Sequence, residues 1–345
     1  MKVLHILQSN RFSGAENVVC QIISMFKAEE GVEMVYCSRD GQIREALAER
    51  GVRFVPISKL SAREIKRVIR EENPDVIHAH DRSASLMASL ATKKVPIVAH
   101  MHVNNNKGLS LMLKNLIWTL RAGRFSHIFW VSDSSFRGFQ FHGVLKGKSS
   151  VLYNVMSREE TLRKADVSPA YPNYDAVYVG RLTHQKHPER LMKVLHEACR
   201  RRADFRAAIA GDGVYAEYVR NYIADNGLST QIDYLGYADQ PLGLMRGSKA
   251  LLMTSRFEGT PMVAIESQIL GTPIVSTPAD GMCDLIENGV NGYLSEDDEE
   301  LVCRLLEIVE DGALREKLSA GCEKKAEPLT DIDGFAQKIY AAYQK

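Results

Sequence analysis

Glu258 and Glu266 are separated by seven residues in Arg256-Phe257-Glu258-Gly259-Thr260-Pro261-Met262-Val263-Ala264-Ile265-Glu266. A carboxylate accepts a pair of sugar hydroxyls well. Gly259 permits a sharp turn, and Pro261 suits the first turn of a helix whose free N–H groups would face an anion. Glu258 then falls in the loop and Glu266 about two turns into the helix. Flanked by Val263, Ala264, Ile265, Ile269 and Leu270, Glu266 is costly to bury without partners, and a structural salt bridge is the competing reading for either carboxylate. Upstream, Gly180-Arg181-Leu182-Thr183-His184-Gln185-Lys186 offers a guanidinium and an ammonium close together. Such a pair can hold both phosphates of a diphosphate and stabilise its charge as it leaves, although two solvated surface charges would explain the same residues alone.

The first half of the chain carries a different set. Ser13-Gly14-Ala15-Glu16 lies between an apolar run and a helical pattern. Gly14 there lets backbone N–H groups approach a phosphate at a helix start, while a plain cap by Ser13 or Asn10, with Glu16 in the first turn, reads equally well. His78-Ala79-His80-Asp81 and His100-Met101-His102 each follow a β-rich run, so four histidines and an aspartate are expected to converge at one sheet edge. Contacts to a sugar are favoured over a metal site, because no third ligand segment with short spacing is visible. Gly211-Asp212-Gly213 suits a tight turn at a strand's carboxyl end, but lacks the third glycine of a dinucleotide fingerprint. Gly147-Lys148-Ser149 imitates the end of a phosphate loop, yet His142 stands where its first glycine belongs and a strand follows.

These residues need elements to place them. Short β-rich runs near 3–7, 34–37, 53–55, 76–78, 97–100, 127–131 and 151–153 alternate with amphipathic stretches, which implies βαβ units and a parallel sheet covered on both faces. The segment 157–173 has no clear period and reads as a linker. The alternation then restarts with strands at 176–179, 206–210, 232–235, 250–254 and 273–276, a second nucleotide-binding-like sheet that leaves a site most naturally in the cleft between two domains. A length of 345 residues fits that count, and 45% apolar with 25% charged residues fits a globular protein. The six cysteines are scattered and read as reduced packing thiols. Net charge is +1, divided unevenly: residues 1–165 hold 25 Lys and Arg against 15 Asp and Glu, and residues 166–345 hold 19 against 28. The basic half is the better match to an anionic partner, and nothing points to nucleic acid.

Taken in order, these motifs resemble the retaining GT-B glycosyltransferases called family four. The resemblance rests on Ser13-Gly14-Ala15-Glu16, Asp75-Val76-Ile77-His78-Ala79-His80, His102 after Pro96-Ile97-Val98, Val131-Ser132, Tyr153-Asn154, Gly180-Arg181-Leu182 with Lys186, Ala210-Gly211-Asp212-Gly213, Leu235-Gly236, and Glu258 with Glu266. It implies an α/β fold of two Rossmann-like domains facing each other across a cleft: residues 1–160 binding acceptor, 161–330 binding nucleotide sugar, and a C-terminal helix over 331–345 free to pack back toward the first. It also implies roles. Arg181 and Lys186 would bind the donor diphosphate, with Gly211 and Gly213 beside them. Glu266 would take the ribose hydroxyls, Glu258 with the backbone of Gly259, Thr260, Pro261 and Met262 the transferred sugar, and Gly14 a phosphate. His102 would lie against the sugar near the reacting bond, with Ser13, His80 and His100 on the acceptor side. Departures are Ser13 for a second glycine, His187 for the glycine after the lysine, Val155 for the glycine after Asn154, and Asp284 where glutamate is commoner.

The activity implied is transfer of a sugar with retained configuration from a nucleotide diphosphate donor, a UDP-sugar before a GDP-sugar, to a saccharide or lipid-linked saccharide in cell-envelope polysaccharide synthesis. His102, Arg181, Lys186 and Glu258 would carry it. No cofactor is implied, the nucleotide sugar being a substrate, and no metal, since the Asp-x-Asp match Asp331-Ile332-Asp333 sits where helix caps belong. An epimerase or hydrolase, or a non-catalytic scaffold, is the alternative. The protein is expected in the cytoplasm or on the inner face of the cell membrane. Lys107, Lys114 and Arg121 recur every seven residues beside Leu109, Met112, Leu113, Leu116, Ile117, Trp118 and Leu120, a pattern that suits either a helix on an anionic membrane or an ordinary layer helix.

Overall fold

Runs such as Val-Leu-His-Ile and Ala-Leu-Leu-Met have side chains suited to a pleated surface covered on both faces, and each is followed by a helix long enough to cross back over the sheet. The computed structural model describes residues 1–102 and 109–345. It divides into two units, Met1–Asn154 with Ile332–Lys345, and Val155–Asp331.

The first unit holds strands β1 (Lys2–Ile6), β2 (Glu33–Arg39), β3 (Phe54–Ile57), β4 (Val76–His80), β5 (Ile97–Met101), β6 (Phe125–Trp130) and β7 (Ser149–Val151) in the order β3-β2-β1-β4-β5-β6-β7. The second holds β8 (Tyr174–Val179), β9 (Ala207–Ala210), β10 (Ile232–Gly236), β11 (Ser248–Met253), β12 (Ile274–Ser276) and β13 (Gly292–Leu294) in the order β10-β9-β8-β11-β12-β13. All these ladders are parallel. In both sheets the order reverses beside the first strand, β1 or β8, which opens a crevice at the carboxyl ends of the central strands where open α/β sheets bind ligands. Leu4, Ile6, Ile77, Ala79, Ala99 and Trp118 pack one core; Ala176, Leu191, Leu195, Ile209, Leu252 and Leu305 pack the other.

Three elements depart from the sequence expectation. Residues 157–173 are not simply a linker: Arg158–Asp166 is helical, with the Ser157 hydroxyl accepting from the Glu160 N–H and Thr161 and Ala165 buried. Two buried positions in nine leave too faint a period to see. Strand β13 was not expected, because Gly292 weakens any strand pattern; a Cβ there would lie 2.0 Å from the Ile274 carbonyl oxygen, so the close approach to β12 requires glycine. The helix Leu109–Arg121 turns its apolar side chains outward. Leu113 and Leu120 are 58% and 76% exposed, whereas Trp118 is buried and Arg121 donates to the Ser89 carbonyl at 2.6 Å. The expected cationic stripe therefore reduces to exposed Lys114, Arg121 being turned inward and Lys107 lying outside the described residues. Among the described residues no helix is long and apolar enough to cross a membrane.

The terminal helix Ile332–Tyr343 belongs to the first unit. Tyr340 and Tyr343 pack against Phe26, and the Tyr343 hydroxyl lies 2.7 Å from His78 Nδ1.

Candidate active site

In the second unit the loop after β8 is pinned from three sides. The Leu182 N–H donates to the Asp212 carbonyl at 2.8 Å, the Tyr178 hydroxyl to the Arg181 carbonyl at 3.0 Å, and the Arg256 N–H to the Gln185 carbonyl at 2.8 Å. Gly211 and Gly213 are needed for the first of these contacts: a Cβ would lie 1.8 Å from the Gly180 oxygen and 2.4 Å from the Leu182 oxygen. Their structural duty is thus to let two loops meet at the carboxyl ends of β8 and β9.

Lys186 ends a 3₁₀ turn, His184–Lys186, and its Nζ lies 2.6 Å from Glu258 Oε1 with both side chains largely buried. Gln185 Nε2 donates to the Phe257 carbonyl at 3.1 Å and reaches Glu258 Oε2 at 3.5 Å. The cation expected on a diphosphate and the carboxylate expected on a sugar are therefore bonded to each other. Their roles stay compatible: an ammonium has three donors and a carboxylate about four acceptor sites, so each keeps capacity beyond the pair. Arg181, by contrast, is exposed and does not join this cluster. Gly259, Thr260 and Pro261 are buried, and Met262 opens the helix Met262–Ile269 with no side-chain cap on its first N–H groups. Glu266 lies on that helix, where burial pushes its carboxyl up to about 7, partly offset by Lys164.

In the first unit Gly14 begins the helix Gly14–Met25, and a Cβ there would meet nothing within 4 Å. Ser13 takes the N-cap place, yet its hydroxyl donates to the Glu16 carboxylate instead of accepting from the helix. Asn10 is tied elsewhere, its carbonyl accepting from Ile43. Ala15 and Glu16, with Gln8, Arg39, His80 and Asp81, line a cavity of about 350 Å³. Asp81 adopts φ +67, a conformation unusual for a residue with a side chain, and its Oδ1 accepts the His102 backbone N–H at 2.8 Å. Five buried histidines gather here, not four: His5 on β1, His78 and His80 on β4, His100 on β5, and His102 just beyond it. They arise from the three central strands of the sheet. Desolvation holds all five neutral, His5 down to about 3 and His102 to about 4. Sequence reasoning missed His5 because nothing local links β1 to β4; the register pairing His5 with His78 does.

The family models agree with this layout. Residues 12–160 match Glycosyltransferase Family 4 and residues 161–325 match Glycosyl transferases group 1. The chain belongs to the family-four glycosyltransferases. A lipopolysaccharide 1,6-galactosyltransferase of Salmonella typhimurium is 26% identical, over 85% of each chain. The Escherichia coli UDP-Gal:α-D-GlcNAc-diphosphoundecaprenol α-1,3-galactosyltransferase is 22% identical over 97% of this chain and 93% of its own. The crystal structure of Anabaena HepE in complex with UDP superposes over the full length of both chains, with a TM-score of 0.84 at 21% identity, and shares the GT-B fold. One family departure acquires a structural meaning in this glycosyltransferase. His187, which the resemblance marks as standing in for a glycine, has φ +54, a left-handed conformation that favours glycine and that a side chain adopts at some cost.

Proposed function

We propose that the enzyme transfers a hexose from a UDP-sugar, with retention and without a bound metal ion or cofactor, to a lipid-linked saccharide at an anionic membrane surface on the cytoplasmic side. The observation that carries the donor side is the buried Lys186–Glu258 pair beside the helix that bears Glu266: one cation with spare donors, one carboxylate with spare lone pairs, and a second carboxylate whose burial leaves it in need of hydroxyl donors. The UDP-bound relative and the UDP-galactose-dependent one support a uridine donor. In the reaction the bond from the anomeric carbon to the phosphate oxygen breaks, the bond to the acceptor oxygen forms on the same face, and the acceptor proton passes to the leaving phosphate. Lys186 and exposed Arg181 stabilise the departing diphosphate, Glu258 orients the sugar, Glu266 the ribose, and Gly14 and His102 act on phosphate and sugar. The outward row Leu113, Leu116, Ile117 and Leu120, with Lys114 alongside, fits an acyl surface bearing anionic headgroups. The undecaprenol-linked acceptor named for the Escherichia coli relative points the same way.

The decisive experiment supplies UDP-glucose, UDP-galactose and their N-acetyl forms with a polyprenyl-diphosphate saccharide in anionic vesicles. Transfer of an α-linked sugar that persists in EDTA is expected, with Lys186→Ala lowering turnover by about two to four orders of magnitude. An inverted product overturns retention, and activity that requires added manganese overturns metal independence. Hydrolysis without transfer returns the reading to a hydrolase. Replacing Leu113, Ile117 and Leu120 with serine should abolish vesicle co-sedimentation; unchanged binding would remove the membrane claim.

A further inference from the structure

The five histidines form two layers. His5, His80 and His102 make a hydrogen-bonded row, with His5 Nδ1 3.1 Å from His80 Nε2 and His80 Nδ1 2.8 Å from His102 Nε2. Ring centroids 5.4 and 5.1 Å apart with tilts of 18° and 26° show the rings meeting edge to edge, nearly coplanar. His78 and His100 lie over His80 and His102, each with centroids 4.3 Å apart. Three imidazoles this close invite a metal ion, and ring nitrogens of His5, His78 and His80, or of His80, His100 and His102, do lie within 4.8 Å of one another. Both groups need His80, however, and both its nitrogens already face neighbouring rings along hydrogen bonds. The row is a relay of protons and lone pairs, not a chelate.

A neutral imidazole has one N–H and one lone pair, so the row has just two self-consistent settings. In one, His5 Nδ1–H donates to His80, His80 Nδ1–H donates to His102, and the outer nitrogen of His102, Nδ1, carries a proton. In the other all three rings are reversed, and His5 Nε2 must carry the proton. That atom is buried with no protein partner among the described residues. Burying an orphan N–H is less tolerated than burying an orphan lone pair, which selects the first setting. Asp81 holds the backbone of His102 while the row fixes its ring.

We propose that His80, backed by His5, is a positioning residue that locks His102 in the Nδ1–H tautomer, so that His102 meets the transferred sugar as a hydrogen-bond donor. This rests on the reading of His102 given above. The test is long-range proton–nitrogen correlation on protein labelled with ¹⁵N-histidine, the His102 signal being assigned by its loss in His102→Gln, together with kcat and KM for the UDP-sugar. His102 should be the Nδ1–H tautomer in the wild type. His80→Phe should mix its tautomers and lower kcat about 10- to 100-fold, with a far smaller change in KM. His5→Phe should weaken the bias in the same direction. His80→Asn, whose amide N–H can replace the lost donor, should recover most of the loss. An Nε2–H tautomer for wild-type His102 overturns the proposal, even if His80→Phe does not fold, and so does a His80→Phe enzyme with unchanged tautomer and kcat. If His102→Gln turns over normally, the sugar-facing role of His102 fails instead, whatever its tautomer.

Discussion

Among the described residues, Glu266 is an acid that burial brings to titrate near neutral pH, where a bound ligand's hydroxyls could be read through its proton. Burial raises its carboxyl to about 7, so near that pH it is about half ionised, and hydroxyl donors from a ribose favour the ionised form. Binding of uridine, which has no titrating phosphate, should therefore tighten as pH rises from 6 to 8 and release protons near pH 7. Calorimetry in buffers of different ionisation enthalpy reads both effects. Glu266→Gln should bind weakly and lose the pH dependence. A flat affinity in the wild type across that range would reject the ribose contact.

At the scale of elements, two glycines that look alike in the sequence do different work. Gly14 has open space around its absent side chain, whereas Gly211 faces the Gly180 carbonyl at a distance no Cβ can share. Gly14→Ala should leave Tm unchanged and weaken donor binding, because the added methyl enters the space a phosphate would use. Gly211→Ala should destabilise the second unit by about 3 kcal/mol, because the backbone of the loop after β8 must shift. Thermal unfolding beside UDP titration separates the two, and equal losses of Tm would refute the distinction. Both glycines were legible as loop residues from their place between a strand and a helix. Which of them was demanded by packing depended on how close the neighbouring loop comes.

For the whole molecule, the two units carry titrating groups of opposite sign. The buried histidines of the first unit have folded values far below 6.5, so the stability they permit is fully present above that pH. It falls as pH drops through the range below 6.5, toward about 4 for His102 and about 3 for His5. Glu266 in the second unit is raised, so its burial costs least at low pH and most above about 7. Both tryptophans of the chain, Trp118 and Trp130, lie in the first unit and report its unfolding alone. Between pH 7 and pH 5 the tryptophan-monitored Tm should fall by several degrees, and replacing His78 and His100 with phenylalanine should blunt that fall. A tryptophan Tm that stays level over that range would show that the histidine cluster is not buried as described.

The alternation of short β-rich runs with amphipathic helices, the two cations in one loop and the two glutamates across one helix start were all readable from the sequence. Each depends on spacing within a single element, and local periodicity reports which side chains share a face. The tertiary structure alone decided three things. Lys186 bonds Glu258 across seventy-two positions of sequence. His5 joins a cluster supplied by β4 and β5, because β1 sits beside β4 in the sheet. The apolar side of the helix Leu109–Arg121 faces outward while Trp118 and Arg121 turn in. A helical period says that a face exists; which face meets the protein is fixed by the strand order and by the neighbours that order brings, and those are properties of the folded chain as a whole.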